Sequence, residues 1–143
     1  MPERNEVAIL ELALSLQLLV RRIRAAAPAE SNELSWTQNA VLARLAQVGP
    51  ATTAELARAE GMKSQSMAVA VAALEELGLV ERKAHPTDGR QVNIQITSRG
   101  IAMRKRTTQA KEMWLARAVA KLDPKEQDIL FAAVGVIKRL GEL

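Results

Sequence analysis

The stretch Gly61 to Val80, GMKSQSMAVAVAALEELGLV, constrains this chain more than any other, because it predicts a turn and then one helix with two unlike faces. Met67, Ala70, Val71, Leu74 and Leu77 recur at helical spacing and predict a stripe that belongs to a core. Gln65, Ala68, Val69 and Ala72 point the other way, where an ordinary solvated face would carry Lys and Glu. No acid occurs before Glu75 and Glu76. A face that is small, acid-free and led by Lys63, Ser64, Gln65 and Ser66 can lie close against a polyanion, which implies a helix that reads DNA. Taken alone, the same pattern fits an alanine-rich helix packed on two sides within a bundle. The flanking segments separate the two readings.

At 143 residues the chain fits one domain, or one domain plus helical extensions, and is long enough to bury a real core. Its residues are 48% hydrophobic but only 2% aromatic, so the expected core is built from Leu, Ile, Val, Ala and Met, which favours helices. The formal net charge of +4 is unevenly placed. Between Arg82 and Lys111 eight basic residues face Asp88 alone, a local +7 that leaves −3 on the rest of the chain. A concentrated basic segment is the electrostatic footprint expected of a nucleic-acid binder.

The chain has no Cys, which excludes disulfides, thiolate chemistry and sulfur-ligated metals, and His85 is its single His. With Glu3 and Glu6 near the start and no basic segment leading into a cleavable apolar run, no signal peptide is expected. No stretch approaches the about 20 consecutive apolar residues of a membrane span, so the expected location is cytoplasmic.

Taken in order, residues 5–26 predict a helix with Ile9, Leu12, Leu16, Leu19, Val20 and Ile23 on one side and Val7, Leu10, Leu14 and Leu18 nearly opposite. Such a helix needs two partners: a second subunit, or two helices of its own monomer. Ala25 to Glu33, with Pro28 and Asn32, is expected to be a loop. Ser35 and Gln38 have capping-box spacing ahead of Val41, Leu42 and Leu45, and Gly49-Pro50 ends that helix. Thr52 and Glu55 repeat the spacing and open a short helix that stops at Gly61. Ser64 is the expected N-cap of the reading helix, and Gly78-Leu79 its stop. Three short helices in sequence, the last two joined by a tight Gly-containing turn, predict a helix-turn-helix.

Val80 to Ala84 and Gln91 to Ile96 predict strands, the second alternating Val92, Ile94 and Ile96 with Asn93 and Gln95. His85 to Arg90, HPTDGR, is turn chemistry between them. A hairpin directly after a helix-turn-helix is a wing, and Arg90 at its tip carries the group suited to a narrow, electronegative minor groove. Asp88 is expected to support the wing as an internal partner of Arg90 or Arg82, and His85 to be a solvated loop residue. From Thr97 a long helix is expected to about Lys121; its basic run Arg99, Arg104, Lys105 and Arg106 suits either phosphate or plain solvent. Asp123, Pro124 and Glu126 form a third capping box, opening a last helix with a broad apolar face through Ile129, Leu130, Val134, Ile137 and Leu140.

The matching residues Leu34-Ser35, Gln38, Val41-Leu42, Glu55-Leu56-Ala57, Leu74-Glu75, Gly78-Leu79-Val80, Pro86 to Arg90, Ile96-Thr97 and Gly100 together resemble the MarR family of winged helix-turn-helix regulators. The resemblance covers nearly the whole chain. It implies a mainly α fold with a small β-hairpin wing, in which 35–97 form a DNA-binding lobe and 5–26 and 98–143 supply dimerisation helices, all one domain over 1–143. It further implies a homodimer on a pseudo-palindromic operator in double-stranded DNA, acting as a repressor, with the fourth helix in a major groove and the wing in a minor groove. Gly89 stands where many members carry a basic residue beside the wing Arg. Many members also respond to a small aromatic effector, for which no pocket residues can be assigned here.

The residues expected at the DNA are therefore Lys63, Ser64, Gln65, Ser66, Ala68, Val69, Arg82 and Arg90, with Asp88 as wing support. No catalytic set, cofactor or metal is expected, since a chain with no Cys, no Tyr and one His offers few nucleophiles, bases or ligands. The competing class is a winged helix used only for protein association, whose reading-helix face would carry acids.

Overall fold

The structure, a computed structural model, describes residues 2–143. Its elements are α1 (Pro2–Ala25), α2 (Ala29–Asn32), α3 (Trp36–Val48), β1 (Ala51–Thr52), α4 (Thr53–Ala59), α5 (Ser64–Glu76), β2 (Val80–Ala84), β3 (Val92–Ile96), α6 (Ser98–Ala120) and α7 (Pro124–Glu142). The chain divides into two compact units, Ala27–Gln109 and a helical unit formed by the residues up to Ala26 with Ala110–Leu143.

Local chemistry sets the helix starts. Ser35 Oγ accepts from the Gln38 amide at 3.1 Å while Gln38 Oε1 accepts from the Ser35 amide at 2.8 Å, a complete capping box for α3. Asp123 and Glu126 close the same box on α7, with Pro124 in its first turn. Thr52 caps α4 through the Glu55 amide, but Glu55 turns its carboxylate to the Thr52 hydroxyl instead of the Thr52 amide. Thr52 is also the last residue of β1.

Two segments depart from expectation. Within the predicted loop 25–33, Ala29–Asn32 form one helical turn behind Pro28, whose φ of −56° is preset for helix entry. Ser31 is buried there and donates to Asn39 Oδ1, fastening the turn to α3. The wing is also part of a larger sheet. Three antiparallel strands lie in the order β1-β3-β2, with Ala51 opposite Ile94 and Val80 opposite Ile96.

The core of the first unit gathers Val41, Leu42 and Leu45 from α3, Leu56 from α4, Met67, Val71 and Leu74 from α5, and Val80 and Ile94 from the sheet. Leu77, expected on the core stripe, is 47% exposed because it is the C-cap where α5 ends. In the helical unit, Arg22 lies 5.7 Å from the Trp114 ring centroid, and Gln127 donates to the Val119 carbonyl in the last turn of α6 and to the Leu122 carbonyl just beyond it. No residue of α7 is fully buried.

The chain packs closely at the junction after the wing. Thr97 donates from its amide to the Leu79 carbonyl and from its hydroxyl to the Gly78 carbonyl, and its Oγ1 accepts from the Gly100 amide. A Cβ on Gly100 would collide with the Leu79 carbonyl oxygen and stand 2.7 Å from Ile96 Cγ1. Because the first obstacle is backbone, Gly100→Ala is expected to cost about 1–3 kcal/mol as an overpacking change. Chemical unfolding measures this, and an unchanged midpoint would refute the close approach of α6 to the Leu79 backbone.

Candidate nucleic-acid interface

Two left-handed glycines fix where α5 begins and ends. After α4, Gly61 (φ 63°) lets the Met62 amide reach the Ala57 carbonyl at 2.8 Å and the Gly61 amide reach Arg58. After α5, Gly78 (φ 73°) does the same, with Leu79 bonded to Leu74 at 3.0 Å and Gly78 to Glu75 at 2.9 Å. Both are Schellman closures, which need φ above zero and therefore favour Gly. The first leaves only Met62 and Lys63 before α5, so Lys63 takes the extended N-cap conformation. Ser64, expected at the N-cap, is instead the first helical residue, and no side chain caps the helix.

Along α5, Met67, Val71 and Leu74 are fully buried, whereas Lys63, Ser64, Gln65, Ser66, Ala68, Val69 and Ala72 are exposed. Val69 is 72% exposed, so the second face of this helix is free rather than packed, which removes the two-sided bundle reading. An exposed row of small side chains allows close approach of a groove floor, and Gln65 offers both a donor and an acceptor to a base edge.

The wing tip is organised by its own side chains. Asp88 Oδ1 accepts from the Arg90 amide at 3.0 Å, an Asx turn, while His85 Nδ1 accepts from the Asp88 and Thr87 amides at 3.2 and 3.3 Å. His85 is thus part of the turn and only half-buried, not a freely solvated residue. Asp88 meets the backbone of Arg90, not its guanidinium, which stays exposed at the tip.

Arg82 is paired elsewhere than expected. The pleat puts it on the face of β2 shared with Val80, opposite Ile94, and its Nε donates to Glu75 Oε2 of α5 at 2.8 Å. Glu75 was not among the residues expected at the interface. Its signal in the sequence was weak, a carboxylate seven residues before an Arg across a helix stop. Among the described residues no three His, Asp or Glu side chains converge as a metal site.

Comparison with known proteins identifies the family that carries this arrangement of elements. Residues 34–92 match the MarR family model. An HTH-type transcriptional regulator of Mycobacterium bovis is 35% identical over 91% of this chain and 90% of its own. The chain belongs to the MarR family. It is accordingly a DNA-binding transcriptional regulator with the winged-helix fold of that family. Among solved MarR-like structures, RV1404 of Mycobacterium tuberculosis superposes with a TM-score of 0.85 at 25% identity, covering 96% of this chain and 93% of that one. A transcriptional regulator of Pseudomonas aeruginosa gives 0.84 at 29% identity, covering 98% and 97%. A Staphylococcus aureus MepR variant solved bound to an oligodeoxyribonucleotide shares the fold, with a TM-score of 0.69 at 20% identity over 95% and 96% of the two chains.

Proposed function

We propose that this MarR-family regulator is a homodimeric repressor that reads a pseudo-palindromic operator in double-stranded DNA. Each protomer sets α5 in a major groove and its β2–β3 wing along the neighbouring minor groove. The carrying observation is the exposed face of α5, where Gln65, Ala68, Val69 and Ala72 follow Lys63, Ser64 and Ser66 without an acid until Glu75. The MepR variant bound to an oligodeoxyribonucleotide supports the same use of the fold. Gln65 reads a base edge, Lys63 meets phosphate and Arg90 enters the narrow groove. A two-lobed clamp across consecutive grooves covers promoter DNA, which is the physical basis for repression.

The dimer is supported by apolar surface. Val7, Ile9, Leu10 and Leu14 on α1 and Ile129, Phe131, Val134 and Val136 on α7 are all more than half exposed in the single chain. A surface of this extent marks an association site.

Release by a small aromatic acid belongs to the same proposal. A crevice within the DNA-binding unit places Arg99 and Arg106 beside Leu34, Leu79 and Met103, so it offers cations and an apolar wall together. Arg106 is held there by Glu30 at 3.2 Å, an exposed pair that an entering carboxylate can exchange for itself.

These roles differ in what each substitution removes. Gln65→Ala should lose about 1–3 kcal/mol of discrimination at one base pair of a duplex selected from a random pool. Lys63→Ala should weaken all duplexes alike, and Arg90→Ala should weaken A·T-flanked sites most; equal losses from Gln65→Ala on selected and random duplexes would remove its reading role.

Half-site centres should lie about one turn, roughly 34–36 Å, apart, and inserting about 5 base pairs between them should abolish tight binding. Affinity that survives the insertion, or a stable monomer in light scattering at micromolar concentration, would sink the two-lobed reading.

Millimolar sodium salicylate should release the wild-type protein from its selected duplex and act less well on Arg106→Gln. Unchanged affinity of the wild type at every concentration tested would remove the effector from the proposal.

A further inference from the structure

The pair between Glu75 and Arg82 sets a puzzle for a protein that approaches DNA. Glu75 continues the reading stripe of α5, at helical spacing i, i+4 and i+7 from Ala68 and Ala72, so it carries a negative charge on the side that faces a polyanion. Electrostatics alone makes such a residue unfavourable for binding. As a stabiliser of the fold it also has little to offer, because the Arg82 and Glu75 side chains remain 47% and 42% exposed and exposed ion pairs contribute little.

The geometry of the pair suits a third role. Glu75 takes only the Nε–H of Arg82, at 2.8 Å. Among the described residues neither Nη group of Arg82 meets an acceptor. A guanidinium is a flat fork of five donors, so one edge can be held while the outer donors stay available for a bidentate contact. Arg82 lies on β2, just after the Schellman turn that ends α5, so the pair ties the far end of the reading helix to the base of the wing.

We propose that Glu75 is a positioning residue for DNA binding: it holds the Arg82 guanidinium by Nε and presents its two Nη groups to a backbone phosphate. Fixing the rotamers of Arg82 in the free protein removes an ordering cost that a loose Arg would incur on binding. The attraction of an oriented Arg for phosphate then outweighs the repulsion from the carboxylate behind it. This inference rests on the DNA-binding reading of α5 and its wing.

The sign of one substitution tests it. Binding to a fluorescein-labelled random-sequence duplex is measured across a salt titration for wild type, Glu75→Ala, Glu75→Gln, Arg82→Ala and the double alanine variant. Random duplex suffices because phosphate contacts carry non-specific affinity. Glu75→Ala is expected to bind roughly threefold or more weakly although it removes a negative charge, with the slope of log K against log salt falling by about 0.9 for each phosphate no longer neutralised. Glu75→Gln, whose Oε1 still accepts from Nε, should stay within about twofold of wild type. In the Arg82→Ala background, Glu75→Ala should no longer weaken binding. Thermal midpoints of all variants should match, since a purely structural role would move the midpoint and leave the salt slope alone. Binding by Glu75→Ala that equals or exceeds wild type overturns the proposal while the DNA-binding reading stands. A wild type that binds no duplex even at low salt overturns both.

Discussion

The candidate interface depends on the burial of three side chains, Met67, Val71 and Leu74, from one stripe of α5. Each contributes about 1.5–3 kcal/mol by leaving water, and together they fix the rotation of the helix about its axis. On the opposite face Gln65, Ala68, Val69 and Ala72 are left exposed. Gly61 and Gly78 complete the constraint by setting the two ends through left-handed turns. The exposure of Gln65, Ala68 and Val69 is therefore a by-product of packing on the other side.

The same logic continues into the wing. Leu79 and Val80, buried immediately after Gly78, anchor the start of β2, and Thr97 and Gly100 clamp the return of the chain onto the Leu79 carbonyl. Arg82 then follows from strand alternation, because side chains two apart share a face and Val80 is committed to the core. Its meeting with Glu75 results from two helix and strand periodicities converging at one turn.

That convergence explains what the sequence could and could not reveal. The capping boxes at Ser35 and Asp123, the core stripe of α5, the glycine stops and the β2–β3 hairpin are local patterns, each within a few residues, and all were legible. The turn α2 was not, since Pro28 and Asn32 signal a loop and four residues carry no helical period. Strand β1 is two residues long, too short for alternation, and exists only because Ala51 meets Ile94 across the sheet. The N-cap at Lys63 went unread because a Ser one residue later is the better capping residue, yet the Schellman turn at Gly61 sets the position first. The contact between Glu75 and Arg82 is tertiary, and spacing alone could equally have paired Arg82 with Asp88.

Charge and apolar surface divide the labour of the chain. In α1 the large apolar residues from Val7 to Val20 are 37–65% exposed, and α7 has no buried residue to compensate. A helix of that length draws most of its stability from packing, so a chain with these faces open to water holds unspent hydrophobic free energy. Association of two chains costs about 4–15 kcal/mol in lost freedom, a sum that several such side chains can offset at about 1.5–3 kcal/mol for each one fully buried. In the proposed complex the DNA-binding side works by the reverse principle, with small residues and cations that stay hydrated until phosphate replaces water. In the proposed function, the apolar excess of the terminal helices serves a second copy of the chain and the cations between Arg82 and Lys111 serve a polyanion. In the proposed dimer, pairing by the first doubles the reading helices available to the second.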